Sequence, residues 1–101
     1  MTDDELILQQ LQEEAARLSQ RQADDDLKWL MGTPVGRRIT WRLLERARVF
    51  ASTFDQHAGV MSFNEGLRSH GLQLLSEINR LCPHQYSVMA QENIQKPEEQ
   101  P

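Results

Sequence analysis

Apolar residues recur at intervals of three and four along most of the chain, and no stretch shows the strict alternation of apolar and polar residues that marks a strand. In the amino-terminal segment this spacing falls at Leu8, Leu11, Ala15 and Leu18. It is the a/d spacing of a coiled-coil seam, sustained over about two heptads. We therefore predict an amphipathic first helix with these four residues as a self-association site. The alternatives are that this helix lies along its own domain or that it frays.

Start and stop signals divide the first third of the chain. Thr2 and Glu5 form a capping box that opens the first helix. The polar segment 20–26 ends in three aspartates, which predicts a break and then a short helix over residues 27–31. Gly32 is predicted to end that short helix in the left-handed conformation, with Thr33 as the cap of the next helix and Pro34 in its first turn.

The helix that follows Pro34 is amphipathic in an unusual way. Its predicted buried stripe consists of Ile39, Leu43, Leu44, Ala47 and Phe50. The opposite side carries a row of arginines one turn apart, with an indole beside them. An exposed indole needs a cover, which is another part of this chain, a stacked guanidinium or a partner molecule. We predict a partner-binding surface made of Arg37, Arg38, Trp41, Arg42 and Arg46.

The second half of the chain contains the best-defined core helix. Residues 51–61 lack helical periodicity and are predicted to form a loop, after which Ser62 and Glu65 form a second capping box. The predicted core stripe of the helix that follows consists of Phe63, Leu67, Gly71, Leu74, Leu75, Ile78, Leu81 and Cys82. Gly71 lies inside this stripe, which indicates a close approach of a neighbouring helix. Pro83 opens a last short helix, with Tyr86 and Met89 facing inward.

The predicted fold class is therefore all-α. We expect a small bundle of about four to five helices with a protruding amphipathic amino-terminal helix and a disordered carboxy-terminal tail. The predicted division is residues 1–23 as a possible pairing helix, residues 24–93 as a compact helical domain and residues 94–101 as the disordered tail. A chain of 101 residues suffices for one small core but not for a large buried pocket.

Charge is distributed unevenly along the chain, although the net charge is only −4. Residues 1–26 carry −6, residues 27–50 carry +5 and the remainder carries −3. This pattern indicates either internal charge pairing or contact with complementary copies or partners. Nucleic acid is a less favoured partner, since the acidic flanks oppose binding through the arginine row.

Candidate chemistry is sparse. The three histidines lack ligand-like spacing, the three adjacent aspartates lack the alternating ligands of a calcium loop, and the single Cys82 has no activating neighbour in sequence. The glycine-rich segment 32–37 lacks the ending of a phosphate-binding loop. We predict no metal, no cofactor, no enzymatic activity and no membrane association. The start of the chain does not look like a secretory signal, so an intracellular protein is expected.

Several sequence blocks resemble a family of small, uncharacterised tailed-bacteriophage proteins that are encoded among head and portal morphogenesis genes. The similarity runs from about residue 26 to residue 93, and its blocks are residues 29–38, 41–45, 63–68, 71–75, 82–83, Tyr86 and residues 92–93. The resemblance implies a genetic context and no catalytic residue.

The favoured interpretation is a non-enzymatic bacteriophage virion or morphogenesis protein that binds other phage structural proteins in the head or portal region, as multiple copies of the chain. It would be made in the host cytoplasm, with the virion as a second location. Two alternatives stay open. One is a small phage adaptor or inhibitor that binds a host protein, and the other is a nucleic-acid-binding protein that uses Arg38, Arg42 and Arg46.

Overall fold

A computed structural model of the chain describes residues 1–94, which form four helices and no strand. They are α1 (Asp3–Met31), α2 (Pro34–Arg46), α3 (Ala58–Leu81) and α4 (Pro83–Ile94). The all-α class and the small bundle are confirmed. The predicted tail of residues 94–101 lies outside the described residues, apart from Ile94, which ends α4.

The first helix is longer than its sequence suggested. The predicted break over residues 20–26 is wrong, since α1 continues through it and includes the stretch assigned to a separate short helix. No glycine or proline interrupts residues 3–31. Asp24 does not cap a new helix, because its carboxylate accepts hydrogen bonds from Gln20 one turn earlier (2.8 Å) and from Arg80 of α3 (2.9 Å).

Both ends of α1 are well defined. The predicted capping box is present, with the Glu5 amide donating to the Thr2 hydroxyl and the Thr2 amide donating to the Glu5 carboxylate. At the other end Gly32 has φ −77°, so the predicted left-handed cap is wrong. The turn is instead closed by the Gly32 amide, which donates to carbonyls of the last turn of α1, and by Thr33, whose hydroxyl accepts from the Gly36 amide at 3.0 Å.

The core lies between the last turns of α1 and the other three helices. Its buried apolar side chains are Met31, Leu44, Val49, Ile78 and Met89. Half-buried Tyr86 packs against them, so the inward positions predicted for Tyr86 and Met89 on α4 are confirmed. The close approach predicted at Gly71 is confirmed, because a Cβ there would come within 2.7 Å of the Ala47 Cβ and closer still to Val49. The neighbour is the turn that follows α2, however, and not a helix as predicted.

Helix α2 is turned relative to its predicted orientation. Leu44 is buried and Ala47 is half-buried, but Ile39, Leu43 and Phe50 are exposed, so the predicted stripe is wrong for these three residues. The face that points to the core instead carries Gly36, Arg37, Thr40 and Leu44. On a wheel of 100° per residue this is a rotation of roughly 60°.

Helix α3 begins earlier than predicted, because its cap is His57 and not Ser62. The His57 Nδ1 accepts from the Val60 amide at 3.3 Å, and the loop that precedes the helix spans residues 47–57. Glu65, assigned to the capping box, instead accepts a hydrogen bond from the Thr53 hydroxyl of that loop. Phe63 falls outside the core and is 66% exposed, so its predicted burial is wrong.

The amino-terminal two thirds of α1 project from the bundle. Every residue from 1 to 23 is exposed, and burial along α1 begins at Asp24. Residues 3–23 of a straight helix span about 32 Å at 1.5 Å per residue. The radius of gyration is accordingly 18.9 Å, against about 13 Å for a compact chain of this length. The predicted division at residues 23 and 24 falls inside this continuous helix and stays a prediction.

Candidate protein-interaction site

Three arginines line the outer side of α2. Arg38, Arg42 and Arg46 are exposed and lie one turn apart, since residues four apart share one side of a helix. Arg46 also stands in the last turn, where the helix dipole favours a cation. The row is available to an acidic partner along about 12 Å of helix.

Trp41 lies next to this row and is covered in part by another ring of the same chain. Its ring stacks on Phe50, with centroids 4.7 Å apart and planes 24° apart. Trp41 is half-buried and also packs against the core, whereas Phe50, in the turn after α2, is 47% exposed. Part of the Trp41 indole is therefore covered by Phe50 of the same chain, and the exposed part of the Phe50 ring remains accessible.

Two shallow depressions flank the indole. One, of about 270 Å³, is lined by Arg38, Trp41, Arg42, Glu45 and Asn93. The other, of about 240 Å³, is lined by Trp41, Glu45, Phe50 and Ala51. Each has room for parts of a few side chains, and together they form an open surface around one aromatic anchor. Surfaces of this kind suit a protein partner, because buried aromatic and arginine side chains dominate binding energies at interfaces.

A second apolar element borders the arginines on their other side. Val35, Ile39 and Leu43 form a row one turn apart, exposed by 55%, 38% and 47%. We call this the aliphatic row, and we call Arg38, Arg42 and Arg46 with Trp41 and Phe50 the arginine face. The exposure of the aliphatic row was not predicted from the sequence, because a buried helical stripe has the same spacing of apolar residues.

Arg37 is placed differently from the other predicted binding residues, because it is buried at 8% exposure. Its Nε and Nη2 donate to the two carboxylate oxygens of Glu92 on α4, at 2.7 and 3.1 Å. Its Nη1 donates to the Met31 carbonyl at the end of α1, at 3.0 Å, and to the Gln85 side chain at 3.4 Å. Arg37 therefore joins α1, α2 and α4. We call these contacts the Arg37 clamp.

The clamp changes the titration of its carboxylate. The hydrogen bonds and positive charge of Arg37 hold the pKa of Glu92 below its ordinary value, and the carboxylate in turn raises the pKa of Arg37. Glu92 was not identified as a clamp residue from the sequence, since it lies 55 residues from its partner and no local spacing relates the two.

The predicted self-association residues lie in the projecting part of α1. Leu8, Leu11 and Leu18 are each more than half exposed, and Ala15 is exposed between them. Ile7, also exposed by more than half, borders the same side. These apolar side chains lie on the part of α1 that projects away from the rest of residues 1–94, and an uncovered apolar row of this kind is typical of a surface with a partner. The binding roles of this seam and of the arginine face stay predictions.

Cys82 and His57, which were considered for chemistry, both take part in the fold. Burial raises the pKa of the Cys82 thiol, which packs against the core, and His57 serves as the cap of α3. Among residues 1–94 no group of histidine, cysteine and carboxylate side chains could hold a metal ion. No helix in this part of the chain is both long and apolar enough to cross a membrane.

Comparison with known proteins identifies a family. A family model described as Bbp19-like phage protein matches residues 27–91, which cover the end of α1, all of α2 and α3, and most of α4. The predicted resemblance to a small phage protein family is thereby confirmed. No curated protein and no solved structure matches the chain.

Proposed function

The chain belongs to the Bbp19-like phage protein family, and we propose that it is a non-enzymatic virion or morphogenesis protein that binds other phage structural proteins in the head or portal region. It would be made in the host cytoplasm and act there during assembly or within the particle. The observation that carries this proposal is the arginine face, which presents an accessible aromatic anchor and three unburied cations on a rigid helix.

The position of this face in the fold supports a binding role. The Arg37 clamp and the core fix α2, so the side chains of the face are presented from a rigid element and little conformational entropy is lost on contact. The family match includes α2 in full. The depressions around Trp41 are open and shallow, which favours a protein surface over a small-molecule substrate.

The test uses the purified chain and the portal, head and connector proteins of the phage that encodes it. Binding of each protein to the immobilised chain is measured by interferometry, and particles and assembly intermediates are searched for the chain by mass spectrometry. Arg42→Glu should weaken binding by tenfold or more, since it places a carboxylate in the centre of the arginine face. Lys28→Glu makes the same change in net charge on exposed α1 and should bind as the wild type does.

Two results would overturn this proposal. One is the absence of binding to every phage structural protein together with the absence of the chain from particles and intermediates. The other is equal loss of binding in Arg42→Glu and Lys28→Glu, which would show that net charge matters and the arginine face does not.

A second candidate function, nucleic-acid binding, is favoured by the arginine row alone. Three phosphate contacts from Arg38, Arg42 and Arg46 would give a log–log salt slope of about −3 on duplex DNA. Fluorescence anisotropy with a labelled duplex, at a series of salt concentrations, measures this slope. A slope near −3 that is lost in Arg42→Glu would support the candidate, and no saturable binding at low salt would exclude it.

A further inference from the structure

We propose that the partner of the arginine face is the projecting part of α1 from a second copy of this chain. This helix would lie along α2, with the exposed apolar side chains of α1 covering the aliphatic row. This inference rests on the proposed function, because it names a partner for the same face.

The two surfaces are complementary in charge. Residues 1–23 carry five carboxylates and two arginines, for a net charge of −3. One of those arginines, Arg17, is already engaged with Glu14 at 2.6 Å. Residues 34–50 carry five arginines and Glu45, for a net charge of +4. The projecting part of α1 and the α2 segment therefore carry net charges of opposite sign, which favours contact between them.

The two surfaces are also complementary in shape and polarity. On a wheel of 100° per residue, Ile7, Leu11 and Leu18 lie within one narrow arc. Three carboxylates and one cation border that arc, namely Asp3, Asp4, Glu14 and Arg21. On α2 the aliphatic row is bordered by arginines. An apolar row edged mainly by carboxylates thus faces an apolar row edged by cations. Helices pack through such rows of side chains when residues four apart form the ridges.

The contact cannot form within one chain. Helix α1 runs without a break from Asp3 to Met31, and its last residues are fixed in the core by Met31 and by the Asp24–Arg80 ion pair at 2.9 Å. The acidic part consequently points away from the bundle for about 32 Å. It can reach an arginine face only on a neighbouring copy.

A contact between two different surfaces has a consequence for assembly. Each copy offers one α1 and one arginine face, so every copy can bind two neighbours in a head-to-tail manner. Such heterologous contacts produce a closed ring or an open filament. A coiled coil between two α1 seams would instead produce a symmetric pair and leave the arginine face unused.

Two variants separate these arrangements. Leu11→Asp removes the α1 side of the contact and keeps the arginine face, whereas the double variant Arg42→Glu with Arg46→Glu removes the face and keeps α1. Light scattering should show the wild type as an oligomer and each variant as a monomer of 11.7 kDa. The equimolar mixture should recover one intact contact and reach twice the mass of one chain without growing further.

Leu6→Asp is the matched control for α1, since Leu6 is exposed on a side of the helix about 140° away from Leu11. Lys28→Glu, which reverses one exposed charge outside both surfaces, is the control for charge reversal as such. Both should associate as the wild type does, and circular dichroism should show unchanged helicity in all variants.

Three outcomes would overturn the inference. The arginine-face variant could associate as the wild type does, which would indicate pairing between α1 seams. The mixture of the two variants could stay monomeric. The wild type itself could be monomeric at every concentration, and if it then still bound a portal or head protein, the proposed function would stand without this partner.

Discussion

Replacing Arg37 by alanine removes the contacts that join α1, α2 and α4. The side chain is buried and donates four hydrogen bonds, two to the Glu92 carboxylate, one to the Met31 carbonyl and one long one to Gln85. Arg37→Ala leaves the Met31 carbonyl at the end of α1 without this donor. It also leaves Glu92 as a carboxylate with no cation of residues 1–94 at hydrogen-bond distance.

The expected loss of folding stability in Arg37→Ala lies between the values for exposed and for buried ion pairs. The Glu92 side chain is 39% exposed, so water can hydrate its carboxylate once Arg37 is gone, and the pair itself is worth about 1 kcal/mol rather than the 3–5 kcal/mol of a fully buried one. The hydrogen bond to the Met31 carbonyl adds about 1 kcal/mol. Together these give a destabilisation of about 2 kcal/mol, or a fall in melting temperature of roughly 8–16 °C for a domain of this size.

Thermal and urea unfolding, followed by circular dichroism, measure this loss in a double-mutant cycle of Arg37→Ala, Glu92→Ala and both together. The coupling energy should be about 1 kcal/mol. Arg17→Ala is the control, because its pair with Glu14 is exposed and local to α1, and this substitution should change stability little. A coupling energy near zero with an unchanged melting temperature in Arg37→Ala would refute the role assigned to the clamp.

Further predictions concern single positions of the fold. Gly71→Ala should destabilise the fold by about 1–2 kcal/mol, because the added Cβ would press on Ala47. Gly66→Ala has open space on the same helix and should stabilise the fold by about 0.5–1 kcal/mol. Equal melting temperatures for the two variants would contradict this prediction. Thr40→Val should raise stability by about 1 kcal/mol in urea unfolding, since the buried Thr40 hydroxyl has no hydrogen-bond partner among residues 1–94. A loss of stability would indicate a hydrogen bond to this hydroxyl. The pKa of Glu92 is lower in the folded chain, so its contribution is complete above the ordinary value of 4.5 and is lost as pH falls through the folded value. Glu92→Gln should remove this acid-dependent part of a pH–stability curve, and an unchanged curve would contradict the assignment.

Local signals in the sequence predicted the structure well where one short segment decides it. The capping box of Thr2 and Glu5, the cap at Thr33 and the close approach at Gly71 each follow from one residue type that meets one backbone requirement. The exposed arginine row was predicted for the same reason, since its spacing depends only on the helix. These features need no knowledge of what packs against them.

The features that depend on distant partners were missed or misplaced. The three aspartates of residues 24–26 suggested a break, but α1 continues through them, and Asp24 accepts a hydrogen bond from Arg80, 56 residues away. Glu65 suggested a capping box, but Thr53 lies close enough to donate to it and α3 begins earlier. In each case a polar side chain has a local and a tertiary use with similar energies, and the sequence does not say which partner is near.

The rotation of α2 connects the clamp to the proposed interface. From the sequence, Ile39 and Leu43 should be buried and Arg37 should be exposed. The structure reverses this: α2 is turned by roughly 60° from the predicted orientation, and Arg37 on its buried face donates to Glu92 and Met31. Burying one arginine with good partners therefore leaves the aliphatic row at the surface beside Arg38, Arg42 and Arg46.

Without the clamp, α2 could rotate to bury these apolar side chains, because that orientation satisfies the hydrophobic pattern better. Arg37→Ala should then weaken self-association as well as stability, although Arg37 is not part of the arginine face. If association were unchanged in a folded Arg37→Ala variant, the exposure of the aliphatic row would not depend on the clamp.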